Sequence, residues 1–311
     1  MRIRTGSRIH ITLIDMNGSI GRVDGSVGLT INEPYVEIKA FKSDEVLIKG
    51  FSENLERFLS TSRKFKDFFG KGIEIHVISD YRPHVGLGSG TQIALSVGKA
   101  YSEIHGLNLS VMEIARIAGR GGTSGIGVSA FEFGGFLVDG GHSWVEKRDF
   151  MPSSISKARP APLISRLDFP DWKIVVAIPK LVGAHGLGEV ELFKKGCPVS
   201  IEEVRELCHL ILMKIMPAVV EKDLDSFLEG IRRVQKIGFK RVEVERYGSL
   251  MKELLNMFPF GMSSTGPSVY TVTDTNSREL AREVEEYFNE KNIECDIFIT
   301  KGRNRGAEVG V

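Results

Sequence analysis

The sequence predicts an α+β protein whose chemistry lies in its first half. Three observations lead there. Short strands of alternating or β-branched residues recur along the chain. In the second half they alternate with amphipathic helical stripes opened by capping residues, the pattern of an α+β fold. Glycine is unevenly spread: residues 1–141 hold 22 of the 34 Gly, well above the usual share of about 7%. Such density marks tight backbone turns or close approach of main chain to a ligand.

In order, Ile9, Ile11 and Leu13 alternate with His10, Thr12 and Ile14 as an opening strand. A glycine-punctuated stretch, Gly18–Gly28, precedes a second strand at Tyr35–Phe41. Phe51, Leu55, Phe58, Leu59, Phe65 and Phe69 form a helical core stripe. Ile73, Ile75 and Val77 make a strand that leads through Pro83–Gly90 into a helix from Thr91 to about His105. Ser110 and Glu113 form a capping box for a further helix ending near Gly119. Val128–Asp139 reads as a β-hairpin. Residues 151–172 carry four prolines and read as a linker or crossover. Beyond them lie a strand at Lys173–Ile178 and a helix capped by Ser200, with Cys208 on its apolar face. Helices at about Leu224–Ile237 and Val244–Met257 follow, then the loop Gly261–Pro267, a strand at Val269–Thr273, a helix around Leu280–Phe288 and a strand at Cys295–Thr300.

The charge balance, 41 Lys+Arg against 40 Asp+Glu, argues against nucleic acid or an anionic membrane surface as partner. No apolar run approaches the roughly 18 residues of a membrane span, and the N-terminus lacks the apolar core of a signal peptide. Three widely spaced cysteines and seven scattered histidines give neither a disulfide framework nor a zinc pattern, so a cytoplasmic protein is expected.

The strongest motif is Pro83–Thr91, where Gly86, Leu87, Gly88, Ser89, Gly90 and Thr91 join a strand to a helix. Glycines let several N–H groups converge, and the helix start adds its free amides and positive dipole, which suits a pyrophosphate. The spacing is neither a Walker loop nor a dinucleotide fingerprint; packing alone also produces Gly-rich turns. A second element, Arg120–Gly127, offers a guanidinium with the hydroxyls of Thr123 and Ser124. A third, Gly261–Pro267, places Ser263, Ser264 and Thr265 between glycines. Near the N-terminus stand His10, Asp15, Arg22 and Asp24; Asp15 and Asp24 are candidates for magnesium, which takes one or two carboxylates beside substrate phosphates. His185, Glu189 and Glu191 share a flexible loop suited to acid–base work or to simple solvation.

The N-terminal strand and loop, the central Pro83–Thr91 loop and the late Gly261–Pro267 loop before a strand, in this order, resemble the GHMP kinase superfamily. Ser7–Gly18, Gly21–Gly25, Arg120–Gly127, Phe136–His142 and Glu191–Pro198 further resemble its β-ribofuranosylaminobenzene 5′-phosphate synthase family, of archaeal methanopterin biosynthesis. The resemblance implies a GHMP fold: an N-terminal domain of the ribosomal-protein type over 1–150, the linker 151–172, and a ferredoxin-like domain over 173–311. It implies that phosphoribosyl pyrophosphate condenses with 4-hydroxybenzoate or 4-aminobenzoate, releasing pyrophosphate and carbon dioxide, with Mg2+ as cofactor and a homodimer as assembly. His10, Arg22, Asp24 and His185 are then the catalytic candidates, and Arg8, Arg22 or Arg120 would hold a carboxylate or phosphate. Mevalonate-type kinases of the superfamily carry Ser-Gly-x-Asp; here Ser124-Gly-Ile is followed by Gly127, which weighs against the alternatives of an ATP-dependent small-molecule kinase. A non-catalytic binding member has less support still, having no use for three such elements.

Overall fold

The computed structural model describes residues 1–153, 155–183 and 186–310. Strands β1 (Arg2–Asp15) and β2 (Arg22–Ser43) form a long antiparallel hairpin, with Arg2 opposite Lys39 and Asp15 opposite Asp24. The glycine-punctuated stretch therefore lies largely inside β2 rather than between strands. A Cβ on Gly28 would come within 2.3 Å of Ile126, so this glycine admits a helix against the strand instead of making a turn. The register shifts at Gly6/Ser7 and His10/Thr12, and such bulges re-aim the neighbouring side chains.

β3 (Val46–Lys49) runs parallel to β4 (Gly72–Ser79), with α1 (Leu55–Phe69) between them in sequence. Phe58 and Phe65 of α1 are buried, whereas Phe51 precedes the helix and is exposed. α2 (Ser89–His105) follows the glycine loop. α3 (Val111–Ala118) carries both halves of the Ser110/Glu113 capping box. The predicted hairpin at 128–139 is instead α4 (Ile126–Glu132) followed by β5 (Phe136–Asp139). Residues 126–131 are all buried, so the segment presents no polar face from which to read a helical period. β6 (His142–Ser143) and α5 (Trp144–Lys147) precede β7 (Leu163–Leu167), which lies within the linker stretch and pairs with β5.

The second half runs β8 (Lys173–Pro179), α6 (Leu187–Gly196), α7 (Ile201–Leu210), a π-helical turn Ile211–Ile215, α8 (Met216–Glu221) and α9 (Leu224–Val234). The helix predicted over 244–257 is two, α10 (Gly238–Glu245) and α11 (Gly248–Met257), divided at Gly248 with φ +61°. β9 (Gly261–Met262), β10 (Val269–Thr273), α12 (Ser277–Glu290), β11 (Cys295–Lys301) and β12 (Glu308–Gly310) complete it. Cys208, expected in the core, is exposed; Leu207 and Leu210 take the buried face of α7.

Two sheets result. One has the order β12-β1-β2-β4-β3, with β5 and β6 added to β2 and β7 to β5; the other is β11-β8-β10-β9. They share one core, which runs from Ile9 and Leu29 to Val176 and Tyr270. Phe136, Phe169, Trp172 and Phe227 pack ring against ring at the join, each burying a large apolar area. Among the described residues no helix is long and apolar enough to cross a membrane.

Candidate active site

The glycine loop between β4 and α2 is clamped from three sides. Arg8 donates from its backbone N–H to Leu87 O at 3.1 Å and from Nη1 to Gly86 O at 2.5 Å. Tyr81 donates its hydroxyl to Leu87 O, and Ser263 Oγ donates to Gly86 O at 2.8 Å. Loop carbonyls are thus consumed by protein donors; at the start of α2 the Thr91 N–H turns back to Gly88 O at 3.1 Å, and the amides of Ser89 and Gly90 just before it face a ligand. Gly86 (φ +86°) has no room for a Cβ, which would lie 2.4 Å from Ser263 O. Gly88 (φ +80°) is the residue before α2, and its Cβ would press on the Arg8 side chain at 3.1 Å.

Around this loop lies a 230 Å³ cavity lined by Arg8, Arg57, Arg120, His84, the loop and Thr265. Arg57 donates from Nη1 to Ser89 Oγ at 3.0 Å and from Nη2 to His84 Nε2 at 2.7 Å. Burial lowers the pKa of Arg8, Arg57 and Arg120, and the Arg57 charge lowers Arg120 further. The charges of Glu189, which lines the same cavity, and of Glu243 oppose that lowering for Arg8. Three partly desolvated guanidiniums at a helix start, outnumbering the one carboxylate that lines the cavity among the described residues, form a site for a polyanion.

A second cavity of 140 Å³ adjoins it, with Arg8, Thr91, Glu189, Ser264 and Thr265 lining both. Its remaining walls include Leu13, Phe193, Pro152, His10, Thr123, Ser124 and Glu243. His10 is buried; its N–H donates to Ser263 Oγ, and its Nδ1 has no partner among the described residues. Burial, then the charges of Arg8 and Lys240, hold its pKa well below that of a free histidine, so the ring is neutral. Thr123 donates to Met151 O and accepts from Lys147 Nζ; Ser124 Oγ lies 2.6 Å from Ser26 Oγ, which bonds to Asp139. Of the third element, Ser263 braces the glycine loop while Ser264 and Thr265 face the cavities.

The predicted site is therefore gathered in part. His10, Gly86, Gly88, Ser89, Gly90, Thr91, Arg120, Thr123, Ser124, Ser264 and Thr265 converge on the paired cavities; Leu87 is wholly buried beneath them. Arg22 does not converge: it donates to Gly140 O and Gly141 O beside a separate cavity. Asp24 is fully buried and engaged by His142 Nδ1 at 2.6 Å and Lys147 Nζ at 3.0 Å. Asp15 accepts from the amides of Asn17 and Gly18 and shapes that turn. Both aspartates are engaged within the protein, Asp24 with His142 and Lys147 and Asp15 with the amides of a turn. No group of three or more potential metal ligands occurs among the described residues. His185 lies outside the described residues.

Sequence reasoning missed Arg57 and Glu243, each on a helix whose pattern carries no local sign of a site, and did not single out Phe193 within the Glu191–Pro198 segment. Gly127 also lines the second cavity, and a Cβ there would stand 3.0 Å from Thr91 Cγ2, so a carboxylate-bearing side chain at this position would disturb the loop threonine.

Residues 52–135 match the model of the GHMP kinases N terminal domain. The chain is 58% identical to the beta-ribofuranosylphenol 5′-phosphate synthase of Archaeoglobus fulgidus, covering all of both chains. It is 44% identical to the protein of that name from Methanocaldococcus jannaschii, over 99% of this chain and all of the other. Among solved structures it is similar to the phosphomevalonate kinase of Streptococcus pneumoniae, with a TM-score of 0.68 at 12% identity, over 97% and 99% of the two chains; that likeness concerns the fold.

Proposed function

The chain belongs to the beta-ribofuranosylphenol 5′-phosphate synthases, enzymes of the pentosyltransferase type on the GHMP kinase fold, and from that premise we propose that it condenses phosphoribosyl pyrophosphate with 4-hydroxybenzoate. Pyrophosphate and carbon dioxide leave, and a C-riboside 5′-phosphate of tetrahydromethanopterin biosynthesis remains. The observation that carries the reading is the pairing of a guanidinium-rich glycine-loop cavity with a small, partly apolar one. A phenol in the names of the relatives favours 4-hydroxybenzoate over 4-aminobenzoate.

Departure of pyrophosphate leaves positive charge on the ribose anomeric carbon and gathers negative charge on the leaving group. The amides at the start of α2 with Arg57 and Arg120 meet that charge in a site fixed beforehand, which is commonly the largest catalytic contribution. Arg8, lining both cavities, holds the benzoate carboxylate at their junction. That places the ring carbon bearing the carboxylate nearest the ribose and the para substituent deep in the second cavity, against Leu13 and Phe193 and beside the neutral ring of His10. Magnesium enters only as a counter-ion travelling with the pyrophosphate; no carboxylate of the chain is assigned to it.

The test is incubation with magnesium, phosphoribosyl pyrophosphate and 4-hydroxybenzoate, reading pyrophosphate and carbon dioxide. Equal release of both is expected. No release, together with ATP turnover on a small alcohol, would make the chain a kinase of the same fold.

A further inference from the structure

We propose that Glu243 is the catalytic base that takes the phenolic proton of the aromatic acid and returns it after decarboxylation, a role that rests on the synthase reading above. The placement comes from the two cavities. Arg8, Thr91, Glu189, Ser264 and Thr265 lie at their junction, whereas Glu243 lines only the second. With the carboxylate of the acid at the junction, the para hydroxyl lies at the far end, among His10, Thr123, Ser124 and Glu243. Thr123 and Ser124 are bonded within the protein, and His10 is held neutral by burial and by the charges of Arg8 and Lys240. Glu243 is the carboxylate at that end.

The helix α10 sets Glu243 one turn from Lys240, whose Nζ stands 2.5 Å from Glu243 Oε2. The same ammonium donates to Ser264 O at 2.8 Å and Met262 O at 3.3 Å, which anchors the pair to the loop that forms the junction. Both side chains are almost wholly buried. Burial raises the Glu243 pKa, and the charges of Lys240 and Arg8 oppose that rise. A carboxylate poised in this way can both accept and release a proton.

The balance is complete. The phenol O–H proton passes to Glu243, and the oxygen electron pair moves into the ring. The ring carbon bearing the carboxylate forms its bond to the anomeric carbon as the anomeric C–O bond breaks, its electron pair leaving with pyrophosphate. The resulting dienone loses carbon dioxide, the pair of that C–C bond restores the ring as a phenolate, and the phenolate recovers its proton from Glu243. An amino group needs no such transfer, because a neutral amine donates its lone pair and regains it with both protons in place.

The experiment compares Glu243→Gln with wild type on 4-hydroxybenzoate, on 4-aminobenzoate and on 3,5-difluoro-4-hydroxybenzoate, whose fluorines acidify the phenol. A fall of about 100-fold or more is expected in kcat on 4-hydroxybenzoate, with a far smaller fall on the other two and unchanged pyrophosphate affinity by calorimetry. An equal loss on every acid the wild type accepts, or no loss, overturns the assignment. Glu243→Asp keeps the charge beside Lys240 while retracting the carboxylate, and should show the same substrate ranking if the Gln variant does not fold. Wild type inactive on all three acids would refute the synthase reading instead.

Discussion

Replacing Gly86 by alanine separates two costs that the loop imposes on its residues. Gly86 has φ +86°, a conformation that penalises any side chain by about 1–2 kcal/mol. Alanine also restricts the unfolded chain, which returns about 0.4–1 kcal/mol. The Cβ would further lie 2.4 Å from Ser263 O and 3.1 Å from Gly266 O, both backbone atoms that no rotamer change can clear. Overpacking of this kind costs about 1–3 kcal/mol. Gly70 is the control: it has φ +75° and nothing within 4 Å of its Cβ position. Gly86→Ala should therefore be less stable than Gly70→Ala by about 1–3 kcal/mol in urea unfolding followed by circular dichroism. Because relief of the clash pushes the loop from Ser263, pyrophosphate affinity should also fall about tenfold in calorimetry, or about 1.4 kcal/mol, and Gly70→Ala should leave it unchanged. Equal stabilities with unaltered affinity would show that the loop neither packs as described nor binds the anion.

Other outcomes follow from the same geometry. Arg57→Ala should weaken pyrophosphate binding by about ten- to a hundredfold, by removing a charge-assisted contact worth about 1.5–3 kcal/mol, and should flatten the salt dependence of that binding in titrations at two ionic strengths. Lys147→Met leaves the fully buried Asp24 without its ammonium, so chemical unfolding should show a loss of about 3–5 kcal/mol. Asp139 is buried, and desolvation lifts its pKa to about 6 against the hydrogen bonds from Ser26, Gly141 and Gly125. A raised folded-state pKa favours the protonated form, so its contribution to stability is present below about pH 4 and lost as pH rises to about 6. Asp139→Asn does not titrate, and the stability of wild type relative to this variant should fall across that window; a rise would refute the assignment.

The glycine loop was legible because its signal is local: strand, three alternating glycines and helix are contiguous, and so is the Ser110/Glu113 cap. What escaped was set by distant chain. Asp24 looked like a metal ligand until folding brought His142 and Lys147 to it from well over one hundred residues away. Arg57 and Glu243 sit on amphipathic helices where a charged residue normally marks the wet face, and only the approach of the glycine loop and of the Ser264 loop turns them inward. Gly28 was read as punctuation because one sequence cannot distinguish a glycine that turns the chain from one that lets a helix come close. The second cavity is built from β1, α2, α4, α6, α10 and three loops, and the sequence offers its residues one by one but not their meeting.

The pairing of β12 with β1, Arg2 opposite Gly310, has a bearing on how the chain is made. Arg303 reaches back to Asn32 across 271 residues of sequence, and its carbonyl accepts from Gly135. During synthesis the Arg2–Arg4 end of the β1 edge therefore stays bare while nearly everything else emerges, and a bare edge is a template for pairing with another chain. At about 5–20 residues per second, that interval lasts tens of seconds. Solubility of nascent chains, rather than activity of finished ones, is where a change in this last strand would first be felt.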